Sequence, residues 1–332
     1  MAEIISEGNE LGFISVAMCT FNGSRFLPSQ LASIAAQDRP PDELVVCDDG
    51  SSDGCDEILK EFCRCAPFPT QVVVNDKTLG STKNFEKAVS LCRGGIVVLA
   101  DQDDLWYRHK LKRIEEAFLR SSAVAVFSDA DLIDEQSRLL DLRLWETFSF
   151  NSGDQRRFAN GQAFNILLKR PLVTGATLAF RKKCFDLLSP IPANYVHDRW
   201  LSFLFAIVGR YQLVPDPLIK YRLHKGQQMG PGSLTLRDRI AKARTIGPRS
   251  YLEEIEQYRQ LYERLEERSG SFPHSERALE EIQRKISHLR HRVRLRSTSA
   301  ARASMVLQEM FNGGYWRYAD GWKSIVKDLV LR

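Results

Sequence analysis

Three carboxylates fall within four residues at Asp101-Gln102-Asp103-Asp104. The apolar run Ile96–Ala100 directly before them reads as a buried strand. Like charges this close repel, and burial at a strand end raises their pKa values. A bound divalent cation removes that cost, and hard oxygen ligands with an open coordination sphere suit Mg²⁺ or Mn²⁺ holding a diphosphate. A helix cap before Leu105 and Trp106 accounts for one carboxylate, not three. A second acidic turn, Asp48-Asp49-Gly50-Ser51-Ser52-Asp53, follows the run Glu43–Cys47. Carboxylates there can accept hydrogen bonds from a nucleobase or ribose. A solvated turn with Ser52 or Asp53 capping the next helix describes the same residues equally well. A third group, His197-Asp198-Arg199-Trp200, opens an apolar helix. Asp198 can act as a general base towards an acceptor hydroxyl, although composition alone favours a cap. In the fourth, Tyr221-Arg222-Leu223-His224, the imidazole can ligate a metal or bind phosphate, while a lone His is more often structural.

The elements that position these groups alternate. Phe13–Thr20, Glu43–Cys47, Gln71–Val74, Ile96–Ala100 and Ala123–Phe127 are apolar runs of strand length. Between them Leu27, Leu31 and Ile34, then Phe85, Val89 and Cys92, then Leu111, Ile114 and Phe118 recur at helical spacing. Such alternation predicts an α/β fold with a mostly parallel sheet covered on both faces, and ligands beyond the carboxyl ends of its strands. Farther on, the spacing predicts a helix over Phe158–Leu168, an apolar stretch at Leu172–Phe180 and a helix over Arg199–Val208. Two short strands, Tyr211–Val214 and Leu218–Tyr221, are split by Pro215 and Pro217. A break at Gln227–Ser233 separates an expected catalytic domain, 11–229, from an expected helical region, 233–332. In the latter, Leu252, Ile255, Tyr258, Tyr262 and Leu265 mark one stripe; Leu279, Ile282, Ile286, Leu289 and Val293 mark another. The turn Ser269–His274 between them predicts an antiparallel hairpin.

Composition narrows the class. The 332 residues carry 47 Lys and Arg against 42 Asp and Glu, a formal +5. The longest apolar run, Leu201–Val208, is far short of the roughly 18 residues a membrane span needs. Met1–Glu10 does not read as a secretory signal. Seven cysteines, Cys19, Cys47, Cys55, Cys63, Cys65, Cys92 and Cys184, form no disulfide or zinc pattern, which points to a reduced, cytoplasmic protein. Between Glu276 and Arg302 stand eight bases and three acids, so this segment holds the whole formal excess. A basic amphipathic helix of this kind suits an anionic membrane surface, here the inner face of the cytoplasmic membrane, and Tyr315, Trp316, Tyr318 and Trp322 supply interfacial aromatics. A solvated outer face of the hairpin is the competing reading. Aromatics are not interleaved as in a single-strand nucleic-acid platform, so no nucleic-acid partner is expected. The heptad-like stripes also suit a homo-oligomer.

The clusters together resemble glycosyltransferase family 2, inverting enzymes with the GT-A nucleotide-diphospho-sugar transferase fold. Ser15-Val16-Ala17-Met18-Cys19-Thr20-Phe21-Asn22 resembles the opening strand and nucleotide loop, Asp48-Asp49-Gly50-Ser51 the acidic nucleotide turn, and Asp101–Asp104 the DxD motif. The resemblance is closest to the bacterial rhamnosyltransferase-like branch. There Asp101–Trp106, Thr174-Gly175-Ala176-Thr177, His197-Asp198 and Tyr221–His224 have counterparts. It covers roughly Phe13 to Met229 and implies a GT-A domain with a C-terminal helical extension. It also implies that Thr20, Asn22, Asp48, Asp49 and Lys83 line the nucleotide pocket and that Asp101 and Gln102 contact the donor. Asp101 and Asp103 would be the DxD pair, with Asp103 the direct metal ligand and His224 beside the diphosphate or metal. Asp198 would be the catalytic base, bordered on the acceptor side by Gly175, Ala176, Thr177, His197 and Trp200. Two positions depart from the family: Gly226-Gln227-Gln228 stands where Asn-Asn is frequent, and His197 where Glu often precedes the base. The second departure matches the rhamnosyltransferase branch.

The implied reaction is metal-dependent transfer of a sugar, rhamnose among the candidates, from a dTDP- or UDP-linked donor to a hydroxyl of a cell-surface glycan or lipid-linked acceptor. A nucleotidyltransferase on a related sheet lacks a Gly-rich basic phosphate loop near the first strand. A non-catalytic nucleotide-sugar-binding or assembly protein is the remaining alternative.

Overall fold

The computed structural model describes residues 12–224, 248–268, 272, 275–297 and 302–330. The expectations for Met1–Glu10, Gly226–Gln228, the Gln227–Ser233 break and the Ser269–His274 turn (Phe272 apart) lie outside the described residues. The chain divides into two compact units, 12–161 with 172–224, and 162–171 with 248–330.

The first unit is a mixed sheet with the order β3-β2-β1-β4-β8-β6-β9-β5, β7 pairing with β6. Its first half is the predicted parallel arrangement: β1 (Ile14–Thr20), β2 (Glu43–Asp48), β3 (Thr70–Val74) and β4 (Ile96–Ala100). β2 and β4 are buried along their whole lengths, as apolar runs covered on both faces must be. Helices α1 (Leu27–Ala35), α2 (Cys55–Cys65) and α3 (Ser81–Leu91) connect these strands. The predicted stripe Leu27, Leu31 and Ile34 is buried in one core with β1, β2 and β4. After β4 come β5 (Leu105–Trp106), α4 (Lys110–Leu119), β6 (Ala125–Ile133) and β7 (Leu139–Arg143), then the short helices α5 (Leu144–Thr147) and α6 (Ser152–Arg157). β6 and β7 pair antiparallel across a tight turn held by Asp134, and β5 pairs antiparallel with β9.

Three expectations are corrected here. Phe158–Leu168 is not one helix, because Asn160 and Gly161 leave helical geometry, Gly161 with φ +83°. The helix α7 (Ala163–Lys169) after that break belongs to the second unit, within a stretch assigned by sequence to the first. β8 (Leu178–Arg181) lies antiparallel between β4 and β6 and leads into α8 (Lys182–Leu188), and α9 (His197–Val208) follows. The two short strands around Pro215 and Pro217 are one strand, β9 (Tyr211–Arg222), parallel to β6. Its register slips where Ser128 faces Val214 and Asp129 faces Pro217. Proline lacks the N–H a regular ladder needs, so the slip absorbs both prolines without ending the strand.

The second unit contains α10 (Pro248–Glu267) and α11 (Ser275–Ser297), followed by α12 (Arg302–Phe311), α13 (Gly314–Tyr318) and α14 (Trp322–Val330). Glu254 meets Lys285 and Tyr262 meets Gln283, an antiparallel sense. The buried stripe of α10 is Tyr251, Tyr258, Leu261 and Leu265, whereas Leu252 is exposed. Ile282 and Leu289 are buried within the unit, so they are not free to pack between chains. The basic face of α11 is likewise only partly external. Arg292 is buried and bidentate on Asp328 at 2.7 and 2.9 Å, and Lys285 is buried with its Nζ donating to Tyr318 O.

Candidate active site

The parallel strands β1, β2 and β4 end side by side, Thr20 opposite Asp48 and Met18 opposite Ala100. The loops leaving those ends carry the acidic clusters, where an open α/β sheet places its ligands. On one side the carboxylate of Asp48 accepts from Thr20 Oγ1 and Ser51 Oγ at 2.6 Å and from Ser51 N at 2.8 Å. Asp49 accepts from Asn75 Nδ2, Leu79 N and Gly80 N, each at 2.8 Å. Both aspartates are buried, and their hydrogen bonds shape the turn and fix the loop that opens α3. Thr20 is buried with them, so in this conformation the Thr20, Asp48 and Asp49 side chains brace the turn and do not face a ligand, contrary to the expectation that they line a pocket. Asn75 and Asn84 complete this network; sequence reasoning missed both, since neither belongs to a cluster.

Asn22 has φ +47°, donates its N–H to Ser51 Oγ and accepts from Ser52 N. Gln102 reaches from the other acidic loop and pairs with both backbone groups of Phe21, at 2.9 and 3.0 Å. A Cβ on Gly23 would fall 2.0 Å from Gln102 Oε1, so that bridge requires glycine. Lys83 is paired with Glu86 at 2.5 Å, and Glu86 also holds Ile191 N.

Around the acidic loop, His224 Nε2 lies 2.7 Å from Asp103 Oδ2. Asp104 is buried, with Oδ1 accepting from Arg222 N and Oδ2 without a hydrogen-bond partner among the described residues. Burial, then the charges of Asp103 and Asp198, push Asp101 from 3.8 up to about 7. Burial, then Asp103 and Asp101, push Asp104 upward as well. Arg222, which sequence reasoning passed over in favour of its neighbour His224, is buried beneath the loop. Its guanidinium donates to the carbonyls of Asp103, Asp134 and Glu135 and to Ser137 Oγ. The donor set is hard carboxylate oxygen whose like charge Lys110 relieves only in part, and it includes an orphan oxygen, which fits a divalent cation. Among the described residues no three His, Cys, Asp or Glu side chains form a ready cage. Any proton held between Asp103 and His224 would have to leave for both to bind one ion.

On the other side, Asp198 lies in the first turn of α9 and makes no capping bond. Its Oδ2 instead accepts from Gly175 N at 3.1 Å, in the turn Gly175–Thr177. The remaining expected acceptor residues are not offered to a ligand in this structure. Gly175, Ala176 and Thr177 are buried because the turn closes on Thr174. His197 stacks on Phe85 at 4.2 Å with neither ring nitrogen hydrogen-bonded among the described residues, and burial lowers its pKa, favouring the neutral ring. Trp200 is fully buried, donating to Leu188 O. The bulky apolar body of Trp200 and the ring of His197 fill core, which leaves Asp198 as the partly exposed member of the group.

Residues 15–187 match the family model for Glycosyl transferase family 2. An uncharacterized glycosyltransferase of Nostoc sp. is 26% identical over 220 residues, covering 64% of this chain and 65% of that protein, a little under two thirds. The dTDP-rhamnosyl transferase RfbG of Shigella flexneri is 26% identical over 221 residues, covering 64% and 73%. The solved mannosyltransferase PcManGT of Pyrobaculum calidifontis, in complex with GDP-Man and Mn²⁺, superposes with a TM-score of 0.53. It is 18% identical, covering 96% of this chain and 84% of that one, a likeness of fold.

Proposed function

The chain belongs to glycosyl transferase family 2 and is a glycosyltransferase with the GT-A fold, and from that premise we propose an inverting, metal-dependent transfer with Asp198 as its base. The observation that carries this reading is the bond from Gly175 N to Asp198 in the turn that leads into β8, because β8 runs antiparallel beside β4 with Ala179 opposite Val98 and so starts at the end of β4 from which the acidic loop leaves. The substrates are a nucleoside-diphosphate sugar and a hydroxyl of a cell-surface glycan or lipid-linked acceptor. A dTDP-rhamnose donor draws support from the name of the Shigella relative.

Asp101 and Asp103, with His224 beside them, would hold a Mg²⁺ or Mn²⁺ ion; a cation is supported by their hard-oxygen chemistry and by the Mn²⁺ of the archaeal fold neighbour. When bound, such an ion neutralises charge developing on the departing diphosphate. The chain's own residues do the rest. Gln102 and the Asp48–Thr20 pair hold the loop after β1, and Asp49 holds the loop before α3, so the nucleotide meets a preformed wall. Asp198, held by Gly175 N–H, takes the proton of the acceptor hydroxyl as that oxygen attacks the anomeric carbon opposite the leaving group. One displacement inverts configuration and needs no covalent enzyme intermediate.

Incubation with a panel of nucleotide sugars, with Mn²⁺ or with EDTA, tests the reading. Cation-dependent release of nucleoside diphosphate is expected. Pyrophosphate release would favour a nucleotidyltransferase, and binding without turnover a non-catalytic binder.

No helix among the described residues is long and apolar enough to cross a membrane. Peripheral contact with an anionic membrane remains our proposal for the second unit. It is supported by exposed Phe311, Trp316 and Trp322 and by exposed Arg277, Arg290 and Arg294, rather than by the buried Lys285 and Arg292. Flotation with anionic liposomes at low salt should carry the protein; its absence from the lipid fraction would refute the contact.

A further inference from the structure

An ammonium group in the protein interior is costly unless something there needs it. Lys110, at the start of α4, is fully buried. Its Nζ sits 3.8 Å from the centre of the Trp106 ring and donates to the carbonyl oxygen of Ala176 at 2.8 Å. Among the described ion pairs it has no carboxylate at contact distance, although Asp104 and Asp101 act on it electrostatically. Ala176 is the middle residue of the Gly175–Thr177 turn, and the preceding residue of that turn donates its N–H to Asp198 Oδ2. The buried lysine and the candidate base therefore hold adjacent residues of one turn. That turn has little freedom elsewhere: a Cβ on Gly175 would lie 2.8 Å from His197 Nε2.

We propose that Lys110 is a positioning residue that pins the Gly175–Thr177 turn and so fixes Asp198 relative to the acidic loop. It touches no substrate and acts through the backbone of the turn. A hydrophobic side chain of similar length would fill the same space beside Trp106 but leave the Ala176 carbonyl without its donor. The turn could then shift, and misplacement of a catalytic group by about 1 Å costs on the order of a hundredfold in rate.

This inference rests on the assignment of Asp198 as base, and a double-mutant cycle separates the two. Wild type, Lys110→Met, Asp198→Asn and the double variant are compared in the full chain by kcat at saturating donor and acceptor, by Kd for the nucleoside diphosphate with Mn²⁺, and by melting temperature. Lys110→Met should lower kcat by roughly tenfold to a hundredfold, leave the nucleotide Kd within about threefold, and melt within a few degrees of wild type. In the Asp198→Asn background the same substitution should change the residual rate by less than about threefold, because the residue it positions has lost its role. Equal losses in both backgrounds, or a Lys110→Met enzyme with wild-type kcat, would overturn the inference while leaving Asp198 in place. Full activity of Asp198→Asn would instead remove the base assignment. If Lys110→Met does not fold, Gly175→Ala displaces the same turn; it should show the same kcat loss, vanishing in the Asp198→Asn background, and an unchanged kcat contradicts the pin.

Discussion

Substituting Asp101 by Asn removes the charge that burial and the Asp103 and Asp198 carboxylates disfavour. The aspartate pKa rises from 3.8 to about 7 in the folded chain. Between those values the folded protein holds a proton that the unfolded chain has released. Stability therefore falls as pH rises from about 4 to about 7 and stays low above that. At about 1.36 kcal/mol per pH unit, a rise of roughly three units corresponds to about 4 kcal/mol. The carboxylate is partly exposed, so solvent screening leaves about 2 to 4 kcal/mol. Asn does not titrate, and the variant should be more stable than wild type at pH 8 in EDTA, with about a quarter of that gap left at pH 4.5. For a unit of this size each kcal/mol is worth about 2 to 4 °C, so a gap of roughly 5 to 15 °C is expected in thermal melts. Mn²⁺ at pH 8 should narrow the gap by stabilising wild type more than the variant. A gap of the same size at both pH values, or a wild type more stable at pH 8 without metal, would refute the claim that burial and like charge strain Asp101.

Gly23→Ala places a methyl group 2.0 Å from Gln102 Oε1 and should break its two hydrogen bonds to Phe21. At about 1 kcal/mol each, the loop loses about 2 kcal/mol of anchoring, seen as a weaker nucleotide Kd by calorimetry with little change in overall melting. Arg292→Ala leaves Asp328 buried without its bidentate partner and should destabilise the second unit by about 3 to 5 kcal/mol in urea titrations. Arg292→Met with Asp328→Leu should recover most of that loss.

The parallel strands were legible because Ile96–Ala100 and Glu43–Cys47 are uninterrupted apolar runs, and such runs have few folded environments other than a covered sheet. The placement of the first two acidic clusters was legible for the same reason: each stands where a buried strand ends. Side-chain roles within the clusters were harder. Asp48 and Asp49 look like ligands in sequence, but their oxygens are taken by backbone and side-chain donors that only the fold brings near. Trp200 and His197 sit beside Asp198 in sequence, yet the helix turns them into the core. Lys110 stands among other bases and Arg222 beside a more conspicuous histidine, so neither reads as buried until the fold is known. In the second unit, net charge pointed outward while Arg292 and Lys285 were consumed by internal acids and carbonyls.

Transfer by Asp198→Asn, measured at saturating nucleotide sugar, acceptor and Mn²⁺, tests the mechanism most directly. Loss of a general base should lower kcat by about a hundredfold to ten-thousandfold, with nucleoside diphosphate binding unchanged by calorimetry. An Asp198→Asn enzyme that transfers sugar at the wild-type rate would contradict the account.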